Sequence, residues 1–346
     1  MNVVGYLDAT SGLGERAREL VATLRAGGIE VSEWSVPGQG REVTPVPTRQ
    51  RVFETTIAVV TAVQLADVRS RLPEPFERAA RTIGYFFWEL ALVPDEQQWG
   101  IGLVDEIFAP TRFVAEAYRS ATDTPVRLVP LPLPLSSPLR TNTDPSTFDV
   151  LVSFDLLSVM ERKNPIGAIE AFRRAFPHDE RVRLTVKTLN GDRRPQQLDR
   201  LRAAVGGDPR IILRDEHLGD DALAELIASS NVMLSLHRSE GLGLHLADAM
   251  ALGTLVVASR YGGNLDVMDD DCAALVDVEL IEVRDGEGAY SPPACWADPD
   301  LDQAAAFLRR AFEDPEWSDR LARRARERVA GSPSREEIGA NLAAIL

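Results

Sequence analysis

The stretch that most constrains the fold runs Ser239-Glu240-Gly241-Leu242-Gly243-Leu244-His245-Leu246-Ala247-Asp248-Ala249-Met250-Ala251-Leu252-Gly253. It is flanked by the apolar runs Val232 to Leu236 and Leu255 to Ala258. The short apolar runs predict buried parallel strands, and Leu244 to Leu252 predicts the connecting helix. Gly253 stands where a helix-terminating glycine belongs. Glu240 then falls in the loop at the carboxyl end of a strand, the edge on which open α/β sheets bind ligands. Gly241 and Gly243 remove side chains there, so a ligand can approach the backbone and the helix N-terminus. Asp248 is the one acid in a helix of Ala, Leu, Met and a single His. A carboxylate in such surroundings needs a partner. A ligand is the expectation; an internal arginine or a helix-dipole role is the alternative.

Composition narrows the partners. At 346 residues the chain allows two or three domains, and its net charge of −15 argues against nucleic acid and anionic membrane surfaces. No apolar run approaches membrane-spanning length. Met1-Asn2-Val3-Val4-Gly5-Tyr6 reads directly as a strand with no basic leader. Cys272 and Cys295 are too few for a disulfide framework or a zinc site, which fits a reducing compartment. The expectation is a soluble cytoplasmic protein that meets any anionic ligand with local cations. Of 38 basic residues only Lys163 and Lys187 are lysines. Lysine offers a phosphate a compact point charge, where arginine offers a planar fork.

Along the chain, Val3 to Leu7 is a strand, Gly12-Leu13-Gly14 a glycine loop, and Glu15 to Ala26 a helix closed by Gly27-Gly28. Glu15 stands where a dinucleotide fingerprint would place a third glycine, so that fingerprint is absent. Residues 37–52 hold three prolines and two glycines and read as a loop or flap. Thr56 to Val63 and Thr82 to Phe87 are strands, the second ending in Trp88-Glu89. An aromatic ring and an acid at a strand end suit a sugar, while Trp88 as plain core is the alternative. Alternation of strand and helix predicts a doubly wound parallel sheet.

Pro130-Leu131-Pro132-Leu133-Pro134 and the polar stretch after it mark the domain boundary. The predicted layout is a first domain over 1–135, a linker over 136–147 and a second α/β domain over 148–330. A last helix over 331–346 is expected to pack back toward the first domain. In the second domain, Asn164 suits an N-cap and Pro165 the first helical position, so Arg162 and Lys163 stand just ahead of a positive helix end. Two cations there call for a shared anion. Lys187 ends the next strand on the same edge. Two lysines, glycines and a helix N-terminus are what a diphosphate requires. Asp269-Asp270-Asp271 reads as a solvated acidic turn. The histidines His178, His217, His237 and His245 show no metal-ligand spacing, so no metal is expected.

The block "SEGLGLHLADAMALGTLVVASRYGGN" resembles the signature of retaining nucleotide-sugar glycosyltransferases of family four, whose pattern is close to "SEGFGL…EAMA.G.PVVAS…GGN". The resemblance extends to "RKNP", the early "GLGE", "GYFFWE" and "CWADPD", and so covers nearly the whole chain. It implies the GT-B fold, in which two Rossmann-like domains face each other across a cleft. It also implies a retaining, metal-independent hexosyltransferase with a UDP- or GDP-sugar as donor, no cofactor, and a hydroxyl of a glycan, glycoconjugate or small molecule as acceptor. A sugar-nucleotide-binding partner of another transferase and a GT-B epimerase are the alternatives.

By the same resemblance Glu240, Lys163 and Arg162 are the catalytic candidates. Glu240 would contact the donor sugar's hydroxyls, with the backbone of Gly241, Leu242, Gly243 and Leu244 beside sugar and phosphate. Asp248 would bind the ribose and Lys163 the diphosphate, helped by Arg162 or Lys187. Gly12 and Gly14 would approach the phosphate, Arg214 and Glu216 would lie by the base, and Trp88 and Glu89 would line the acceptor side. Two departures stand out. Asp248 occupies a position that is usually glutamate. Phe154-Asp155 replaces an arginine that often follows the strand before the lysine. Glu240→Ala is expected to weaken donor interaction with little change in melting temperature.

Overall fold

The computed structural model describes residues 1–9, 11–36, 51–133, 146–284 and 290–346. Most of the proline-bearing stretch 37–52 and all but the last two residues of the linker 136–147 lie outside the described residues. The chain divides into two compact units, Met1–Pro132 with Ser332–Leu346, and Leu133–Gly331.

The first unit holds a parallel sheet of β1 (Asn2–Gly5), β2 (Ser32–Ser35), β3 (Thr55–Val59), β4 (Arg81–Tyr85), β5 (Glu106–Ala109) and β6 (Val126–Leu128). Its helices are α1 (Gly12–Ala26), α2 (Ala62–Arg71), α3 (Glu74–Glu77), α4 (Gln98–Ile101) and α5 (Arg112–Ala121). The strand order is β2-β1-β3-β4-β5-β6, all parallel. The order reverses between β1 and β3, and the Gly12 loop follows β1 at that switch point. Helix α1 starts at Gly12, three residues before the predicted Glu15, because the Ser11 hydroxyl caps the Gly14 amide.

The second unit holds β7 (Phe148–Ser153), β8 (Val182–Thr188), β9 (Ile211–Asp215), β10 (Val232–Ser235), β11 (Leu255–Ser259) and β12 (Ala274–Val276). An antiparallel pair, β13 (Val278–Glu282) and β14 (Cys295–Pro299), follows. Its helices are α6 (Met160–Lys163), α7 (Pro165–Ala175), α8 (Pro195–Val205), α9 (Asp220–Ser229), α10 (Leu244–Leu252), α11 (Leu301–Glu313) and α12 (Pro315–Ala330). The parallel sheet runs β9-β8-β7-β10-β11-β12. Side chains alternate across it: Val150 and Val152 join one core with Phe172, Phe176 and Leu308, while Leu151 joins the other with Met233, Met250 and Val256. Helix α10 is apolar nearly all round because it is enclosed by α9, α12 and the sheet.

The last helix, α13 (Arg335–Ile345), packs on α1 and seats Ile338 and Leu342 in the core of the first unit. Gly27 and Gly339 are glycines here because their backbones touch; a Cβ on either would overlap the other.

Candidate active site

The second sheet reverses between β7 and β10, and the crevice beyond the carboxyl ends of those strands is where such sheets bind ligands. The loop after β7 leads through α6 to Arg162 and Lys163. The loop after β10 carries Glu240. Structure thus brings together residues that lie 77 positions apart in the chain. Lys163 Nζ donates to Glu240 Oε2. Arg162 Nη1 stands 3.6 Å from the same oxygen and donates to the Ser239 carbonyl at 2.9 Å. Arg162 and Lys163 occupy a short helix of their own, just ahead of the helix that the sequence starts at Pro165. The short helix ends at Asn164 in the left-handed conformation (φ 49°), and the Asn164 side chain then caps α7 at Gly167.

Glu240 is 8% exposed. Burial by itself would raise its carboxyl, but Lys163 and then Arg162 outweigh it and hold the group well below the usual carboxylate range. The Glu240 backbone is clamped as well: its carbonyl accepts from the Gly263 amide at 2.7 Å, and a Cβ on Gly262 would overlap that oxygen. Gly243 (φ 78°) opens α10 with no side-chain cap, and its carbonyl accepts from the Leu246 and Ala247 amides, so the positive helix end faces the Glu240 loop.

Two histidines missed as site residues complete the cluster. His237 is fully buried. Ser235 Oγ lies 3.0 Å from its Nδ1 and the Tyr261 carbonyl 3.0 Å from its Nε2. A ring that accepts from the hydroxyl and donates to the carbonyl is neutral, and desolvation pushes its pKa down to about 4. His245, half-buried, is driven to about 3 by desolvation and then by Lys163, against the pull of Glu240. The apolar run before Glu240 hid His237, since nothing in its spacing signals a partner 24 residues away.

Asp248 is half-buried within α10, and Leu242 and Leu244 are half-buried beside it. Gly241 is buried in the Glu240 loop. Lys187 is buried at the end of β8, and the charges that act on it are Asp155, Glu216, Asp215 and Arg214 rather than Glu240 or Lys163. Arg162 is therefore the second cation at Glu240, and Lys187 belongs with Arg214 and Glu216, which are ion-paired to each other at 2.6 Å. Phe154 packs in the core and Asp155 caps the following turn through the Leu157 amide, so the position of the missing arginine is structural.

In the first unit, Gly12 has open space where a Cβ would stand, whereas a Cβ on Gly14 would lie 2.5 Å from the Ala9 carbonyl oxygen. Gly14 is thus explained by close packing. Trp88 is 5% exposed and its indole N–H donates to the Leu92 carbonyl, which puts the ring in the core, not on a stacking surface; Glu89 is half-buried. Asp269, Asp270 and Asp271 each meet an arginine, Arg328, Arg260 and Arg324, which accounts for the acidic turn. Among the described residues no group of three or more His, Cys, Asp or Glu could hold a metal ion. No described helix is long and apolar enough to cross a membrane.

Two parallel six-stranded sheets with this site at a strand-order reversal give the α/β architecture of GT-B glycosyltransferase structures. Residues 155–288, the stretch that contains Arg162, Lys163, Lys187, Glu240 and Asp248, match the family model of glycosyl transferases group 1. The MMP alpha-(1->4)-mannosyltransferase of Mycolicibacterium hassiacum is 31% identical over 137 residues, a stretch that spans 39% of this chain and 28% of that relative. Among solved structures, Anabaena Alr3699/HepE in complex with UDP and glucose superposes with a TM-score of 0.65 at 11% identity, covering 99% of this chain and 98% of that one. A mutant of S. aureus TarM in complex with Fondaparinux, alpha-GlcNAc-glycerol and UDP gives 0.63 at 11% identity, over 84% of this chain and 55% of TarM.

Proposed function

We propose that this chain is a glycosyltransferase that moves a hexose from a UDP- or GDP-sugar to an acceptor hydroxyl with retention of configuration, without a metal ion. The observation that carries the reading is the buried Glu240 carboxylate held by Lys163 and Arg162 at the strand-order reversal of the second sheet. The family match over 155–288, the mannosyltransferase relative and the UDP complexes of fold neighbours support it.

On this reading the donor diphosphate lies against Lys163, Arg162 and the open N-terminus of α10. As the bond to the sugar breaks, negative charge gathers on the departing phosphate, where fixed cations and backbone dipoles stabilise it without reorganising. Lys163 then exchanges part of its bond to Glu240 for the phosphate. The freed carboxylate lone pairs accept from sugar hydroxyls and fix the sugar's orientation. Asp248 binds the ribose. The acceptor hydroxyl attacks from the face the leaving group occupies, so its proton passes to the departing phosphate and no separate base is required.

The test is a thermal-shift screen of UDP, GDP, ADP and their sugars. A ligand present at about a hundredfold its Kd adds about 2.7 kcal/mol. The stabilising donor is then followed by NMR with simple glycoside acceptors. Transfer with the donor's anomeric configuration retained is the expected result. Inversion removes the retaining mechanism. Altered free sugar without an acceptor identifies an epimerase. Binding with neither hydrolysis nor transfer leaves a binding partner of another transferase.

A further inference from the structure

Lys187 carries an unspent charge. It stands on β8, paired in register with Ser153 on β7 and with Arg214 on β9, and is 4% exposed. Among the described residues its ammonium makes no hydrogen bond and no ion pair within 4.0 Å. The nearby acids are committed elsewhere. Asp155 accepts from the Leu157 amide and Asn190, Asp215 from the Gly191 amide, and Glu216 from Arg214. The Lys187 stem is buried, yet its ammonium tip still reaches solvent at the strand end, where a ligand can supply the acceptor it lacks.

The local charge decides what kind of acceptor fits. Two cations, Lys187 and Arg214, face three carboxylates, Asp155, Asp215 and Glu216. That surplus of negative charge disfavours a phosphate, whose place on the reading above is at Arg162 and Lys163. It suits a neutral acceptor. The loop after β9 runs into α9, which packs on α10, the helix that carries Asp248. A nucleoside whose ribose rests on Asp248 can thus extend its base toward the ends of β8 and β9.

We propose that Lys187 reads the donor's nucleobase, its ammonium donating to a ring carbonyl oxygen, so that uracil or guanine is favoured over adenine, which presents an amino donor where guanine presents its carbonyl. This rests on the donor reading given above. The test measures binding of UDP, GDP, ADP and inorganic pyrophosphate to the wild-type protein, Lys187→Met and Lys187→Arg, together with thermal unfolding of each unliganded protein. Lys187→Met is expected to weaken the preferred nucleotide at least about tenfold, to lose discrimination against ADP and to leave pyrophosphate binding unchanged. Its unliganded melting temperature is expected to hold or rise, because a desolvated charge has been removed, and Lys187→Arg is expected to retain most of the affinity. A parallel loss of pyrophosphate affinity makes Lys187 a phosphate contact and overturns the proposal. So does a markedly lowered melting temperature, the mark of a structural counter-ion, and so does unchanged nucleotide affinity. A wild-type protein that binds no nucleotide sinks the donor reading itself, and this proposal with it.

Discussion

Glu240 is buried and holds two cations, so its removal has two consequences. Glu240→Ala leaves Lys163 and Arg162 buried without their shared anion, and breaking such a buried arrangement costs about 3–5 kcal/mol. The expectation from sequence that the melting temperature would hardly move is therefore replaced: urea unfolding is expected to show a loss of that size. Glu240→Gln keeps the shape and an acceptor, and is the variant in which transfer should fall by at least about tenfold with a smaller loss of stability. Undiminished transfer by Glu240→Gln rejects the role given to the carboxylate. The pair of lysines was visible in the sequence because lysine is so scarce in this chain. Which of the nearby cations joins Lys163 was not visible, because Arg162, just ahead of a helix, and Lys187, at a strand end, both fall on the ligand edge in sequence, and only the fold places Arg162 against Glu240.

His237 makes a pH prediction at the same scale. Its folded pKa of about 4 lies below the ordinary 6.5. As pH falls below 6.5 the unfolded chain takes up the proton first, so stability present above 6.5 is lost progressively down to about 4. His245, at about 3, acts in the same direction, while Glu240 stays ionised through this window. Asp179, held at about 2 by Arg181, changes charge only below it. Unfolding free energy is expected to drop by at least about 2 kcal/mol between pH 7.5 and pH 4.5. A flat profile over that range means the rings are not held neutral by burial.

At the scale of elements, two glycines in the first turn of α1 separate structure from function. Gly12 opens α1 with free space at its Cβ position. Gly12→Ala is expected to stabilise the helix by about 0.5–1 kcal/mol, and it lowers transfer only if a ligand needs the backbone there. Gly14→Ala is expected to destabilise, since a Cβ would press on the Tyr6 and Ala9 carbonyl oxygens at 2.6 and 2.5 Å. Calorimetry with a transfer assay on both variants checks this; equal effects at the two sites contradict the packing account. Helix α10 was legible to its last residue, because an apolar run bounded by glycines leaves no other reading. Helix α6 was not, because four residues ending in a left-handed asparagine carry no periodicity.

At the scale of the molecule, the second sheet has the order of a dinucleotide-binding fold and places its site at the reversal, while the first unit is completed by the chain's last helix. Deleting residues 332–346 removes Ile338 and Leu342 from the first unit's core and uncovers α1. The two side chains alone are worth roughly 3–6 kcal/mol at about 1.5–3 kcal/mol each. The deletion is expected to raise the protease sensitivity of the first unit more than that of the second. Gly339→Val tests the same contact with one side chain, through the backbone approach to Gly27.

The sequence by itself determined the α/β class, the strand–loop–helix around Glu240 and the edge of the sheet on which Arg162, Lys163, Lys187 and Glu240 all fall. These follow from local rules: apolar runs, glycine stops and caps act over a few residues. Tertiary structure alone decided that Arg162 and Lys163 share Glu240, that His237 is neutral, that Trp88 is core and that Lys187 keeps an uncommitted charge. Those outcomes depend on strand order and on desolvation, and both are set by residues tens of positions away.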